Sequence, residues 1–96
     1  MKTKEDILAA LKACKPELQS TFPLRRMALF GSYVRGESTK GSDVDIIVEV
    51  DPVIGLRFVT LAERLEEVLE LPVDLVSRRA IKPALWEQIQ SEMIDV

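Results

Sequence analysis

Histidine is absent from this 96-residue sequence. His-assisted triads, His-ligated zinc and imidazole general bases are therefore excluded within the chain. Cysteine occurs once, as Cys14, on the apolar face of a predicted helix. No disulfide can form within the chain, which suits a reducing cytosol. Positive charge is also in short supply, with 13 Lys and Arg against 16 Asp and Glu, a net charge of −3. A broad electrostatic grip on nucleic acid is not expected from that balance. No apolar run approaches the ~20 residues that span a bilayer, and no signal-peptide pattern opens the sequence. The expectation is a cytoplasmic protein with no membrane partner and no nucleic-acid substrate.

What is present fits a single domain over residues 1–96, which at this size buries roughly 60–65% of its unfolded surface. Thr3-Lys-Glu-Asp6 has the form of a capping box. Ile7, Leu8, Leu11, Cys14 and Leu18 follow at helical spacing, predicting a helix over about Lys4–Gln19, with Pro16 expected to kink or end it near Lys15. Arg26–Phe30 reads as a short strand, Ser32–Gly36 as one or two helical turns, and Asp43–Val50 as a second strand. Phe58, Ala62, Leu65 and Leu69 mark one face of a helix within Leu56–Glu70, with Leu61 and Val68 beside it. Val73–Ser77 reads as a third strand, because Pro72 can start one but not continue it. Pro83 suits an early helical position, and Leu85, Trp86, Ile89 and Met93 give a last apolar face. The order α-β-α-β-α-β-α predicts an α/β (α+β) domain with a small mixed sheet flanked by helices.

The chemistry gathers between Leu29 and Asp51. Gly31 and Ser32 follow the first strand and can offer backbone N–H groups and a hydroxyl to phosphate. Asp43 and Asp45 lie two apart in a strand, so they project to one face while Val44, Ile46, Val48 and Val50 line the other. Like charges about 5–7 Å apart at an effective dielectric near 20 repel by roughly 2–3 kcal/mol, so a cation is expected to offset them. Mg²⁺ suits such oxygen ligands. Asp74 interrupts the apolar strand Val73-Asp-Leu-Val76. The helix before it has the length of a crossover that sets strand three beside strand two, which would bring Asp74 next to Asp43 and Asp45.

Gly31-Ser32, ten intervening residues, then Asp43-Val-Asp45 resembles the signature of the DNA polymerase β-like nucleotidyltransferase superfamily. The Gly-Ser-Tyr-Val-Arg-Gly-Glu run is similar to that of its minimal nucleotidyltransferase (MNT) branch, and Asp74 matches the place of the family's third carboxylate. The resemblance implies the nucleotidyltransferase fold and transfer of AMP from ATP to a hydroxyl, with two Mg²⁺ ions held by Asp43, Asp45 and Asp74. It implies Asp74 as the group nearest the acceptor proton, and Gly31 and Ser32 as holders of the β- and γ-phosphates. It further implies a HEPN-domain ribonuclease toxin as partner, modified on a tyrosine, with this chain as its antitoxin. Two other readings stand beside that one: an antitoxin that neutralises by binding alone, and a nucleotidyltransferase acting on a small molecule such as an aminoglycoside. Arg35 is read as a salt-bridge partner of Glu37 in preference to a phosphate contact. Trp86 is read as core, Arg78 and Arg79 as solvated residues within reach of a substrate, and Tyr33 is weighed as a site of self-modification.

Overall fold

The computed structural model describes residues 2–96. The first helix, α1, runs Lys4–Thr21. The Thr3 hydroxyl accepts from the Asp6 amide at 3.2 Å, and the Asp6 carboxylate accepts from the Thr3 amide at 3.0 Å. Two of the helix's orphan donors are satisfied by this reciprocal cap. Strand β1 (Leu24–Phe30) leads through Gly31 into the short helix α2 (Ser32–Arg35), and β2 (Val44–Val50) follows an exposed loop. After a 3₁₀ turn at Pro52–Ile54 come α3 (Arg57–Leu69) and β3 (Val73–Ser77). A second 3₁₀ turn at Arg78–Ala80 precedes α4 (Pro83–Glu92), and Ile94–Asp95 form a short β4.

The sheet order is β3-β2-β1-β4. β1 pairs antiparallel with both β2 and β4, and β3 lies parallel to β2. A crossover helix is what a parallel neighbour requires, and α3 supplies it. One face of the sheet presents Met27, Leu29, Val44, Ile46, Val48 and Val50 to a core shared with Ile7, Leu11 and Leu18 of α1 and Leu61, Leu65 and Leu69 of α3. The other face carries a smaller cluster of Ala28, Ile47, Ile81 and Ile89, with Trp86 and Met93 of α4 packed against it. The alternation in β2 thus sorts its residues as the sequence predicts. The aliphatic row is buried, and Asp45 stands on the face that α4 covers only in part.

Several particulars differ from the sequence reading. α1 continues through Pro16 to Thr21. An interior proline costs about 3 kcal/mol; beyond it, Leu18 and Phe22 are both buried, and each contributes about 2–3 kcal/mol in return. β2 begins at Val44, leaving Asp43 one residue before the strand. Val44 donates to the Pro72 carbonyl at 2.8 Å, and Pro72 has no N–H with which to extend the ladder. The centre of the α3 face is Leu61, Leu65 and Leu69, with Phe58 and Val68 at its margin. Leu85 is 50% exposed and outside the core, while Tyr33 is 4% exposed and inside it. Finally, β4 is an addition; its two residues are too few to carry a periodic signal. Among the described residues, no helix is long and apolar enough to cross a membrane.

Candidate functional site

The two carboxylates meet through strand register. Asp45 of β2 is the direct partner of Asp74 of β3, so the side chains project from neighbouring strands to the same face, about 5 Å apart at the backbone. Asp74 is exposed and Asp45 half-buried, and Asp43 is exposed just upstream. Burial pushes the Asp45 carboxyl above its ordinary value of 3.8; the charges of Asp74 and then Asp43 push it further, while Arg35 pulls the other way. Asp45 therefore sits in an anionic surrounding that is only partly compensated.

Gly31 lies directly beneath that carboxylate. Its φ is +83°, and a Cβ placed on it would stand 2.0 Å from Asp45 Oδ2. Only glycine fits, for both conformation and space. The turn that ends β1 and the carboxylate of β2 are thus built against each other. Ser32 follows as the first residue of α2, half-buried, and no side chain caps that helix.

Arg35 pairs with Glu37 at 2.6 Å, as read from the sequence. It also donates to both oxygens of Glu92, at 3.0 and 3.2 Å, and the same Glu92 accepts from the Gly31 amide at 3.2 Å. Glu37 and then Glu92 hold the guanidinium firmly in its charged form. Glu92 is the site residue that motif reasoning missed. Its only signal is an acidic side chain in the last turn of a helix, where the macrodipole disfavours it.

Gly31, Arg35, Asp45, Asp74 and Glu92 line a cleft of about 590 Å³ between the sheet and α4, with Phe30, Val76, Ile81 and Leu85 as apolar wall; Ser32 and Asp43 lie outside its lining. Leu85 is exposed because it faces this space. Arg78 does not reach the cleft: its guanidinium stacks on the Trp86 ring, 3.8 Å from the centroid. The hollow beside that stack is about 10 Å³, room for one water at most.

A hard divalent cation fits the donor set. It consists of carboxylate oxygens alone, with Asp45 held at an electrostatic cost that a cation would relieve. As the side chains stand, no three His, Cys, Asp or Glu among the described residues are drawn closely enough together to enclose an ion. Asp45 and Asp74 are neighbours in strand register, and Asp43 is exposed one residue before β2.

A Gly-Ser turn set against paired carboxylates on a small mixed sheet defines a nucleotidyl-transferring domain. The chain belongs to the nucleotidyltransferase domain family, whose model matches residues 11–96, and within it to the minimal nucleotidyltransferases. It is 41% identical over 97 aligned residues to the protein adenylyltransferase MntA of Thermococcus cleftensis, covering 100% of this chain and 98% of that one. A solved minimal nucleotidyltransferase superposes with a TM-score of 0.82 at 32% identity, covering 99% of this chain and 97% of the other. A chain from the complex of a tri-AMPylated Shewanella oneidensis HEPN toxin with MNT antitoxin superposes at a TM-score of 0.68 and 26% identity, covering 93% of this chain and 70% of that one.

Proposed function

We propose that this chain is an ATP-dependent protein adenylyltransferase that acts as the antitoxin of a HEPN-domain toxin, in the cytoplasm, where a free thiol such as Cys14 stays reduced. The observation that carries the reading is the in-register pairing of Asp45 with Asp74 above a glycine that admits no side chain. The MntA relative and the AMPylated toxin complex support the acceptor class.

In this reading a tyrosine hydroxyl of the partner attacks the α-phosphorus of ATP. The new O–P bond forms as the bond to the bridging oxygen breaks, and pyrophosphate leaves. Asp74, exposed on the cleft side of β3, receives the hydroxyl proton. Gly31 and Ser32 present backbone N–H and hydroxyl to the β- and γ-phosphates, where charge builds during transfer. Asp43, Asp45 and Asp74 would hold Mg²⁺, which would supply positive charge to offset the charge building on the phosphates. The shape of Gly31 keeps the Asp45 carboxylate close to the phosphate-bearing turn, so one strand end positions both. AMP added to the toxin places negative charge where RNA phosphates would approach, and like charge opposes them. A net charge of −3 on this chain also complements a basic, RNA-cutting partner.

Labelled ATP, Mg²⁺ and the partner toxin should give labelled toxin with the native chain and none with Asp43→Asn combined with Asp45→Asn. If the native chain transfers no nucleotide under any condition, the proposal fails. If the double variant still protects cells at native expression, neutralisation works by binding alone.

A further inference from the structure

Glu92 already occupies the Gly31 amide, a donor that the proposed reading gives to phosphate, together with the neighbouring Arg35. Its carboxylate accepts from the Gly31 amide at 3.2 Å and from Arg35 at 3.0 and 3.2 Å. It does so from an unfavourable place, the last residue of α4, with no basic residue in that turn. A carboxylate at a helix C-terminus is repelled by the carbonyl ends there, so the Arg35 and Gly31 contacts are what hold it. Asp45 and Asp74 line the same cleft as Arg35, and Arg35 offsets part of the negative charge around Asp45.

We propose that Glu92 is a displaceable internal anion: it stands in for phosphate at Arg35 and the Gly31 amide, and an arriving triphosphate must dislodge it. This makes Arg35 a nucleotide-binding residue and Glu92 the residue that sets nucleotide affinity, and it rests on the adenylyltransferase reading above. Displacement needs no backbone movement. Beyond Glu92 the chain is fixed, because β4 pairs with β1 at Ala28 and Leu29 and Arg26 grips both oxygens of Asp95 at 2.8 and 2.9 Å. Rotation about the three side-chain torsions of Glu92 suffices to free Arg35. A carboxylate also competes with phosphate without resembling any other part of a nucleotide, so its effect is confined to the phosphates.

The alternative is a plain brace between α4 and α2, and the two differ in sign. Removing a brace weakens binding; removing a competitor strengthens it. A plug engaged about nine-tenths of the time weakens apparent affinity about 10-fold. Calorimetric titration of the full chain with ATP–Mg²⁺ and with inorganic tripolyphosphate, which carries no base, reads this directly. Glu92→Ala is expected to bind both probes about 10-fold more tightly than the native chain, and Glu92→Gln to fall between. Glu87→Gln, an equal charge change at an exposed position of the same helix, should match the native chain. Glu92→Gln, which keeps the side-chain length, gives the sign should the alanine variant melt. Native-like or weaker binding by both Glu92 variants overturns the proposal while leaving the site reading intact, as does equal tightening by Glu87→Gln. No binding of either probe by any form rejects the phosphate site itself, and the plug with it.

Discussion

Replacing Asp45 with Asn should make the protein more stable and less active at once. Asn keeps the shape that packs over Gly31 and removes one of two facing charges. Carboxylates on adjacent strands, about 5–6 Å apart, repel by roughly 3 kcal/mol at an effective dielectric near 20. The cleft is open on one side, and solvent screening reduces that to about 1 kcal/mol. For a domain this size, 1 kcal/mol moves the melting temperature by about 4–8 °C. Thermal melts in chelator should therefore place Asp45→Asn about 5 °C above the native chain, while transfer activity falls at least ~100-fold. The pH dependence follows the same sign. The folded Asp45 holds its proton above the ordinary value of 3.8, so between 3.8 and the raised value the folded state binds more protons than the unfolded one. Native stability then declines as pH climbs through that window, and the penalty is complete above it. Asp45→Asn should flatten this decline. Adding Mg²⁺ should raise the native melting temperature and leave the variant nearly unchanged. A variant that melts below the native chain in chelator would falsify the idea that these carboxylates are held together at a cost.

Gly31→Ala should be severe, because the new Cβ meets Asp45 Oδ2 at 2.0 Å and φ stays at +83°; a loss of at least about 2 kcal/mol in a denaturant titration, with activity abolished, is expected. Leu61→Ala removes a fully buried side chain from the α1–α3 core and should cost about 2–5 kcal/mol by the same titration, without touching the cleft. Arg26→Ala frees Asp95, whose carboxyl the guanidinium holds below its ordinary value; hydrogen exchange should show the amide of Val96, bonded to the Met27 carbonyl at 3.0 Å, opening faster. In the native chain that pair supports β4 fully above the ordinary Asp value and loses its effect as pH falls through the depressed one.

How far the sequence revealed this site depended on the kind of signal each residue carries. Asp45 was legible because it lies two residues from Asp43 on the polar side of an aliphatic alternation, and Asp74 because it interrupts Val-x-Leu-Val. Their adjacency followed from the length of the crossover between them. Gly31 was legible as a turn, but its contact with Asp45 is a matter of packing between segments 14 residues apart in the chain and leaves no local trace. Glu92 looked like any polar residue on a surface helix, because what distinguishes it is a partner 57 positions away. Leu85 fits the apolar stripe of the last helix, but spacing alone cannot tell a residue facing a filled interior from one facing a cleft. Pro16 misled in the other direction: intrinsic propensity argued for a break, and tertiary burial on both sides of it prevailed.

The parallel register of β2 and β3 has a bearing on how errors arise. Sliding β3 by one residue would turn Asp74 toward the aliphatic interior and push Val73 and Leu75 into water. That inversion is heavily penalised by desolvation of the charge alone. Sorting oil from water during folding therefore doubles as proofreading of the carboxylate alignment. A chain that has found its lowest-energy interior has, by the same act, aimed its acids, and mutations far from the cleft that loosen this sorting should blunt catalysis before they unfold the protein.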